Sequence, residues 1–157
     1  MRKTIWMVPA VAALVTAVGV APAHAATQTQ NRPMTPYTDS NTLISTIPQN
    51  SSSGWHVGDC YQNPGYLFLD RPVGSPSIGR LRWAYTTYTT HTSNFDQWHL
   101  TWTFRTASGA QVLRVGPVDS VRMTTVGREY TQEFTADVFM TPAVFNGIRS
   151  VDWSGSC

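Results

Sequence analysis

The chain has 157 residues, and only 13% of them are Asp, Glu, Lys or Arg, which is about half the usual share. The length suits a single domain, and the 11% aromatic content argues against a disordered chain. Beyond residue 25, nine arginines balance nine acidic residues and no lysine remains. A near-neutral surface lacks the basic patch of a nonspecific nucleic-acid or anionic-membrane binder, so neither partner is expected.

Residues 1–25 have the layout of a secretory signal peptide. Arg2 and Lys3 form a basic start, Ile5–Val20 carries no charge, and Ala23-His24-Ala25 is a small-x-small cleavage site. The alternative is an uncleaved membrane anchor, but the apolar run is short, rich in Ala and interrupted by Pro. We therefore predict a cleaved signal and a secreted protein with no membrane segment. The absence of Lys and the Ala-rich signal suggest a bacterium with a GC-rich genome.

Residues 26–53 are rich in Thr, Ser, Asn, Gln and Pro, which predicts a disordered N-terminal leader. One short strand near Thr42–Ile47 is the only regular element expected there. The folded domain is predicted to occupy residues 54–157.

Short runs of Val, Thr, Tyr, Trp and Phe alternate with polar residues from Gly54 onward, and Gly and Pro separate them. This texture predicts an all-β fold, a single antiparallel β-sandwich or barrel-like domain of about eight strands. The candidate strands are Trp55–Cys60, Tyr66–Leu69, Leu81–His91, Gln97–Thr106, Ala110–Val115, Val118–Val126, Glu129–Met140 and Phe145–Trp153.

Cys60 and Cys157 are the only two cysteines. An even number in an exported chain predicts a disulfide between them. A Cys60 nucleophile beside His56 is the alternative, but a free thiol is a liability in an oxidising compartment.

The alternation of apolar residues predicts which side chains are buried. Leu81, Trp83 and Tyr85 mark one face of a strand as core, and the even positions from Trp98 to Phe104 do the same in the next candidate strand. A loop over Ser93–Asp96 would join these two strands as a hairpin, with Tyr88 opposite Thr101.

Two further turns fit the same parity. A Ser108-Gly109 turn would place Phe104 opposite Leu113, and a Gly127-Arg128 turn would place Phe134 opposite Val121.

No sequence motif fixes a reaction, and we predict no catalytic residue, metal or cofactor. Neither G-x-S-x-G nor H-E-x-x-H occurs. His91 and His99 fall on opposite faces in the predicted register, which argues against a metal site shared with Asp96. Glu129 and Glu133 are interpreted as members of a solvated strand face rather than as a carboxylate pair.

One outward-facing patch is a candidate ligand-binding surface. The predicted hairpins gather hydroxyls, an imidazole, a phenol ring and guanidinium groups, which suit a polyhydroxyl or anionic ligand. In this hypothesis Tyr88 is the stacking plane and Arg105 the charged anchor. The patch consists of Tyr88, Thr90, His99, Thr101, Thr103, Arg105 and Arg114.

These features favour a small secreted non-enzymatic module that binds a glycan, a cell-surface component or a protein outside the cell. A secreted hydrolase is one alternative, because His56, His99, Arg105 and the acidic strand could converge in the fold. A secreted inhibitor or toxin-like effector is the other, because Asp70–Pro76 is predicted to be a stiff exposed loop.

Overall fold

The computed structural model describes residues 27–157, which form two antiparallel β-sheets packed face to face with one short helix. The predicted signal peptide, residues 1–25, lies outside the described residues. The described helix is too short to cross a membrane. The elements in chain order are β1 (Gln28–Pro33), β2 (Thr35–Pro36), β3 (Thr42–Thr46), β4 (Trp55–Val57), β5 (Cys60–Gln62), β6 (Tyr66–Val73), β7 (Ile78–Thr89), β8 (His99–Thr106), β9 (Gln111–Asp119), β10 (Tyr130–Phe139), α1 (Pro142–Gly147) and β11 (Ile148–Ser156).

The first sheet, sheet A, has the strand order β1-β11-β8-β9. The second, sheet B, runs β2-β3-β6-β7, with β5 and β4 continuing from the same side of β7 as β6 and with β10 on its other side. This architecture confirms the predicted all-β sandwich. It has eleven strands within residues 27–157 rather than eight, because the predicted leader contributes three and the candidate Trp55–Cys60 is replaced by β4 and β5. The candidates Ala110–Val115 and Val118–Val126, in contrast, are one strand, β9, which ends at Asp119.

The core between the sheets is a cluster of indole rings. Trp102 of β8 contacts Trp83 of β7 at 5.4 Å between ring centroids and Trp153 of β11 at 5.6 Å, both edge to face. Trp153 in turn meets Trp55 of β4 at 6.2 Å. Each of these four side chains is fully buried. The predicted core faces of β7 and β8 are therefore confirmed.

The partners of β7 differ from the prediction. Instead of pairing with β8, β7 lies in sheet B and pairs with β5, β6 and β10. The segment between Thr89 and His99 crosses from one sheet to the other, so the predicted hairpin across Ser93–Asp96 is wrong. Two consecutive strands can bury their apolar faces either side by side in one sheet or facing each other across the sandwich. The alternation of apolar and polar residues is the same in both arrangements, so it does not distinguish them.

The hairpin of β8 and β9 is confirmed, and its predicted register holds at Phe104 and Trp102. Phe104 lies opposite Leu113, and Trp102 lies opposite Val115, as predicted. The turn is longer than expected: the Thr106 N–H donates to the Ala110 carbonyl at 3.0 Å, and a bulge at Arg105 absorbs the extra residue.

The predicted hairpin at Gly127-Arg128 is wrong. Strand β9 ends at Asp119, residues 120–129 form a loop, and β10 pairs with β7, so that Phe134 lies opposite Trp83 rather than Val121. The predicted faces of β10 nevertheless hold: Phe134, Ala136 and Val138 point inward and are at least partly buried, while the acidic residues on its other face are exposed.

The predicted flexible leader is largely ordered. Strand β1 pairs with β11 along its whole length, and β3 pairs with β6 where the short strand was expected. Polar side chains support β1 from the neighbouring strand: the Thr29 and Ser154 hydroxyls are 2.7 Å apart, and Asn31 Nδ2 donates to Asp152 Oδ1 at 2.7 Å.

The last strand follows a helix, of which only residues 145–147 had been predicted as strand, and a disulfide fixes the chain after that strand. Cys60 and Cys157 are bonded, as expected, across a sequence separation of 97 residues. Residues 142–147 form α1, which Thr141 caps by accepting a hydrogen bond from the Val144 N–H at 3.2 Å. Thr at the cap followed by Pro is a helix-start signal that the strand prediction overlooked.

Candidate functional site

The structure divides the predicted binding patch between the two sheets. His99, Thr101, Thr103 and Arg105 lie along β8 on the outer face of sheet A, and Arg114 of β9 is opposite Thr103, as predicted. Tyr88 lies on β7 in sheet B, opposite Tyr61 rather than Thr101. The patch therefore has no aromatic stacking plane, because the predicted plane is on the other sheet.

The Arg105 guanidinium is occupied by hydrogen bonds within sheet A. Its Nε donates to Asp152 Oδ2 at 2.6 Å, and an Nη donates to the Gly109 carbonyl at 2.9 Å. Burial would raise the pKa of Asp152, but hydrogen bonds from Asn31 and Arg105 and the charge of Arg105 outweigh it and lower the pKa below the ordinary value. The predicted charged anchor for a ligand is thus already neutralised by a neighbour.

Replacing Asp152 with Asn is expected to lower the unfolding free energy at neutral pH by about 1–2 kcal/mol, because the ion pair with Arg105 is lost. A lowered carboxyl pKa stabilises the fold above the ordinary value of about 3.9 and stops doing so as pH falls through the folded-state value. Urea unfolding of parent and variant should therefore differ at pH 7 and converge in acid. Asp137→Asn breaks an exposed pair and serves as the control, with a cost below about 1 kcal/mol.

The outer face of sheet B carries an aromatic stack. His56, Tyr61 and Tyr88 lie side by side on β4, β5 and β7. The two tyrosine rings are parallel within 13° at 5.0 Å between centroids, and the imidazole is 5.0 Å from Tyr61. Tyr61 covers one side of Tyr88, so Tyr88 is the terminal ring of the stack.

A shallow cleft of about 430 Å³ opens at this terminal ring. Its polar groups come from three separate segments, namely the turn before β4, the residues after β5 and the loop before β10. The residues that matter for its chemistry are Ser52, Ser53, Asn63, Tyr88, Gly127 and Glu129. Asn63 Nδ2 donates to Glu129 Oε1 at 3.0 Å, which ties two of these segments together at the cleft.

The wall that contains Ser52 and Ser53 is fixed by a tight turn. Asn50 clamps the backbone of His56 in both directions, because its Oδ1 accepts from the His56 N–H at 2.8 Å and its Nδ2 donates to the His56 carbonyl at 2.8 Å. Gly54 has a φ of +117°, and a Cβ there would overlap the Gln62 carbonyl oxygen. The turn thus needs glycine at this position to approach β5 so closely.

The opposite wall is attached to β7 and to Tyr130. The Gly127 N–H donates to the Thr89 carbonyl at 2.9 Å. The Tyr130 hydroxyl accepts from the Thr124 and Thr125 backbone N–H groups, both at 3.2 Å. The Thr124 side-chain hydroxyl is also hydrogen-bonded to the Tyr130 hydroxyl, at 3.3 Å. This side-chain bond is the largest cause, with the backbone bonds, of the lowering of the pKa of Tyr130 to about 8. Both walls of the cleft are therefore pre-formed.

A second group of polar residues lies in a row on the outer face of sheet A. His99 of β8 is flanked by Asp119 of β9 and Ser156 of β11, each directly opposite it. His99 Nδ1 is 2.6 Å from Asp119 Oδ1. This is an orienting carboxylate and an imidazole beside a hydroxyl, but on an open sheet face rather than in the cleft.

Within residues 27–157, the histidines and acids weighed as metal ligands or as a carboxylate pair lie apart from one another. His91 is exposed, and its Nδ1 is 3.9 Å from Asp59 Oδ2. Asp96 lies instead beside the disulfide, with its carboxylate within 4.8 Å of both sulfurs, and accepts a hydrogen bond from the Thr89 hydroxyl. Glu133 is exposed on β10 opposite Ala84, apart from Glu129 in the cleft.

The predicted stiff loop at Asp70–Pro76 is shorter than expected. Residues up to Val73 belong to β6, where the Asp70 carboxylate accepts two hydrogen bonds from Arg82, at 3.0 and 3.1 Å. The Asp70 hydrogen bond comes first among the influences that raise the pKa of Arg82. Only the turn after Val73 protrudes.

The sequence indicated Tyr88 as a ligand-stacking residue but missed the residues around it. Asn63 and Glu129 are 66 positions apart, and no local pattern joins them. Their proximity follows from the pairing of β7 with both β5 and β10, which is the part of the topology that parity did not predict.

Comparison with known proteins gives one match. The model of a family of unknown function (DUF6294) matches residues 76–157. This region begins before β7 and includes Tyr88 and Glu129 of the cleft. No curated protein and no solved structure matches the chain.

Proposed function

Because the chain belongs to the DUF6294 family, whose function is unknown, we propose from its surface geometry that the protein is a non-enzymatic module that binds a glycan in the Tyr88 cleft. The observation that carries the proposal is the terminal ring of an aromatic stack at the edge of a pre-formed polar cleft. An aromatic ring offers rigid apolar area for the C–H face of a sugar, and few side-chain torsions are frozen when it binds.

The polar residues of the cleft fit the hydroxyl groups of such a ligand. Asn63 offers both a donor and an acceptor, Glu129 accepts, and the Ser52 and Ser53 hydroxyls do either. Pre-formed walls reduce the ordering entropy that binding costs, which favours a useful affinity from a small contact area.

The predicted signal peptide and the disulfide support a secreted bacterial protein that meets its ligand outside the cell. Polysaccharides of cell walls and of the surroundings are the glycans available there. We thus retain the extracellular glycan among the predicted ligands and move its site from the β8 patch to the Tyr88 cleft.

Tyr88→Ala is expected to weaken binding at least about tenfold in a pull-down with insoluble cellulose, chitin, xylan and peptidoglycan, because the stacking surface is removed. Depletion of the protein from solution measures the affinity for each polysaccharide. Tyr66→Ala is the matched control, since Tyr66 is an exposed tyrosine on the outer face of the same sheet and does not line the cleft.

We also expect Arg105→Ala to leave this binding unchanged, because Arg105 lies on the other sheet. A Tyr88→Ala protein that stays folded and binds like the parent would refute the proposed site. So would a parent protein that binds none of these polysaccharides.

A second candidate function is ester hydrolysis, which the row of Ser156, His99 and Asp119 favours. Asp119 would hold the imidazole through Nδ1, which leaves Nε2 as the base for the serine hydroxyl. A fluorophosphonate should then label Ser156 in the parent but not in His99→Asn, with Ser154→Ala as the control on the same strand face. Labelling that is no greater than in heat-denatured protein would eliminate this candidate.

A further inference from the structure

We propose that the Tyr88 cleft selects a glycan with a free amine, such as a glucosamine oligosaccharide, over neutral and anionic sugars. This inference rests on the proposed glycan-binding function and names the substrate class of the same site.

The first observation is the charge of the cleft. Glu129 is the one ionisable carboxylate among its lining residues, and no arginine or histidine lines it. Asn63 occupies only Oε1 of this carboxylate. No hydrogen bond to Oε2 occurs within residues 27–157, so one oxygen stays available to a ligand. The cleft therefore presents a single negative charge.

The second observation is that the nearest arginines along the chain are engaged elsewhere. The Arg128 guanidinium lies over the Tyr130 ring at 5.2 Å, and Arg122 lies over Phe95 at 4.4 Å. A sugar that carries carboxylate, sulfate or phosphate would thus meet Glu129 with no cationic side chain among the lining residues of the cleft. Like charges at short range disfavour such a ligand.

The third observation is the combination of Glu129 with an aromatic ring. The face of Tyr88 attracts a cation through the ring quadrupole, and a carboxylate attracts the same cation directly. An ammonium group on a sugar ring would use both, while its C–H face and hydroxyls would still find Tyr88, Ser52 and Ser53. Neutral sugars gain only the contacts of the C–H face and the hydroxyls, without the attraction of the ammonium group.

The test compares two probes of equal length, a glucosamine oligosaccharide and its N-acetylated counterpart, by titration calorimetry on the purified protein at low salt. We expect the amine form to bind about tenfold more tightly. Glu129→Gln should remove this preference, because the affinity for the amine form should fall to that for the N-acetylated form. Glu133→Gln is the matched control, since it removes an exposed carboxylate from the same sheet outside the cleft and should keep the preference.

Equal affinity for the two oligosaccharides, with both abolished by Tyr88→Ala, would overturn the inference and leave the glycan-binding function intact. Loss of the preference in Glu133→Gln as well would overturn it too, because overall charge would then be the cause. A lysine oligomer that competes as well as the amino sugar would also overturn the inference, because the cleft would then recognise the amine without contacting a sugar ring. Binding of neither oligosaccharide, nor of any polysaccharide in the pull-down, would remove the proposed function itself.

Discussion

Replacing Trp102 with alanine is expected to lower the unfolding free energy by about 3–5 kcal/mol, the range for deleting a large buried aromatic side chain. Trp102 is fully buried and contacts aromatic rings from both sheets: Trp83, Trp153 and Phe134, the last at 6.2 Å. The indole thus fills the space between the sheets. Alanine would leave a cavity there, because the neighbouring strands β7, β10 and β11 cannot move in far enough to fill it. Urea unfolding followed by circular dichroism measures the loss.

Phe139→Ala is the control for this variant, because Phe139 is an aromatic residue of sheet B that is 70% exposed. Its removal should change the stability by less than about 0.5 kcal/mol. A Trp102→Ala loss below about 1 kcal/mol would mean that the sheets do not pack as described.

Removing the disulfide with the double variant Cys60→Ala and Cys157→Ala is expected to cost about 4–5 kcal/mol. The bond closes a loop of 97 residues, and a crosslink across about 100 residues removes that much chain entropy from the unfolded state. It also ties the end of β11 to β5, and so links sheet A to sheet B. Thermal and urea unfolding under non-reducing conditions measure the difference.

The parent protein treated with a reductant is the control for the double variant. The two should unfold at similar urea concentrations if the crosslink itself, and not the packing of the two sulfurs, supplies the stability. A double variant within about 1 kcal/mol of the oxidised parent would contradict this account.

The sequence was sufficient to predict the faces of the main strands but not their neighbours. Alternation in β7 and β8 identified Trp83 and Trp102 as core, because burial of one face imposes a period of two. The same period is satisfied whether β7 pairs with β8 or lies across the sandwich from it. The β8–β9 hairpin was predictable because its short turn restricts the pairing to local residues.

Strand β1 was missed for a different reason. Its inward and outward positions both carry polar residues, so it has no hydrophobic alternation to detect. It is a strand because β11 offers a free edge and because Thr29 and Asn31 find polar partners there. Such a strand depends on its neighbour, which no window of local sequence reveals.

The candidate site, too, combines a residue that local sequence indicates with residues whose positions depend on strand pairing. Tyr88 was accessible to sequence reasoning because aromatic side chains on a solvated face are conspicuous. The cleft beside it depends on two loops that meet only after β5, β7 and β10 have paired. The hypothesis therefore grouped Tyr88 with residues of β8 that lie on the other sheet.

The position of β11 between β1 and β8 affects how the molecule is made. Synthesis proceeds from the amino end, and β1 and β8 have no common partner until β11 has emerged, about 125 residues after Thr29. Sheet A thus has a high contact order, and non-local pairing of this kind is slow. Sheet A therefore assembles late, and the Cys60–Cys157 bond, which joins β5 to the end of β11, also waits for the last strand.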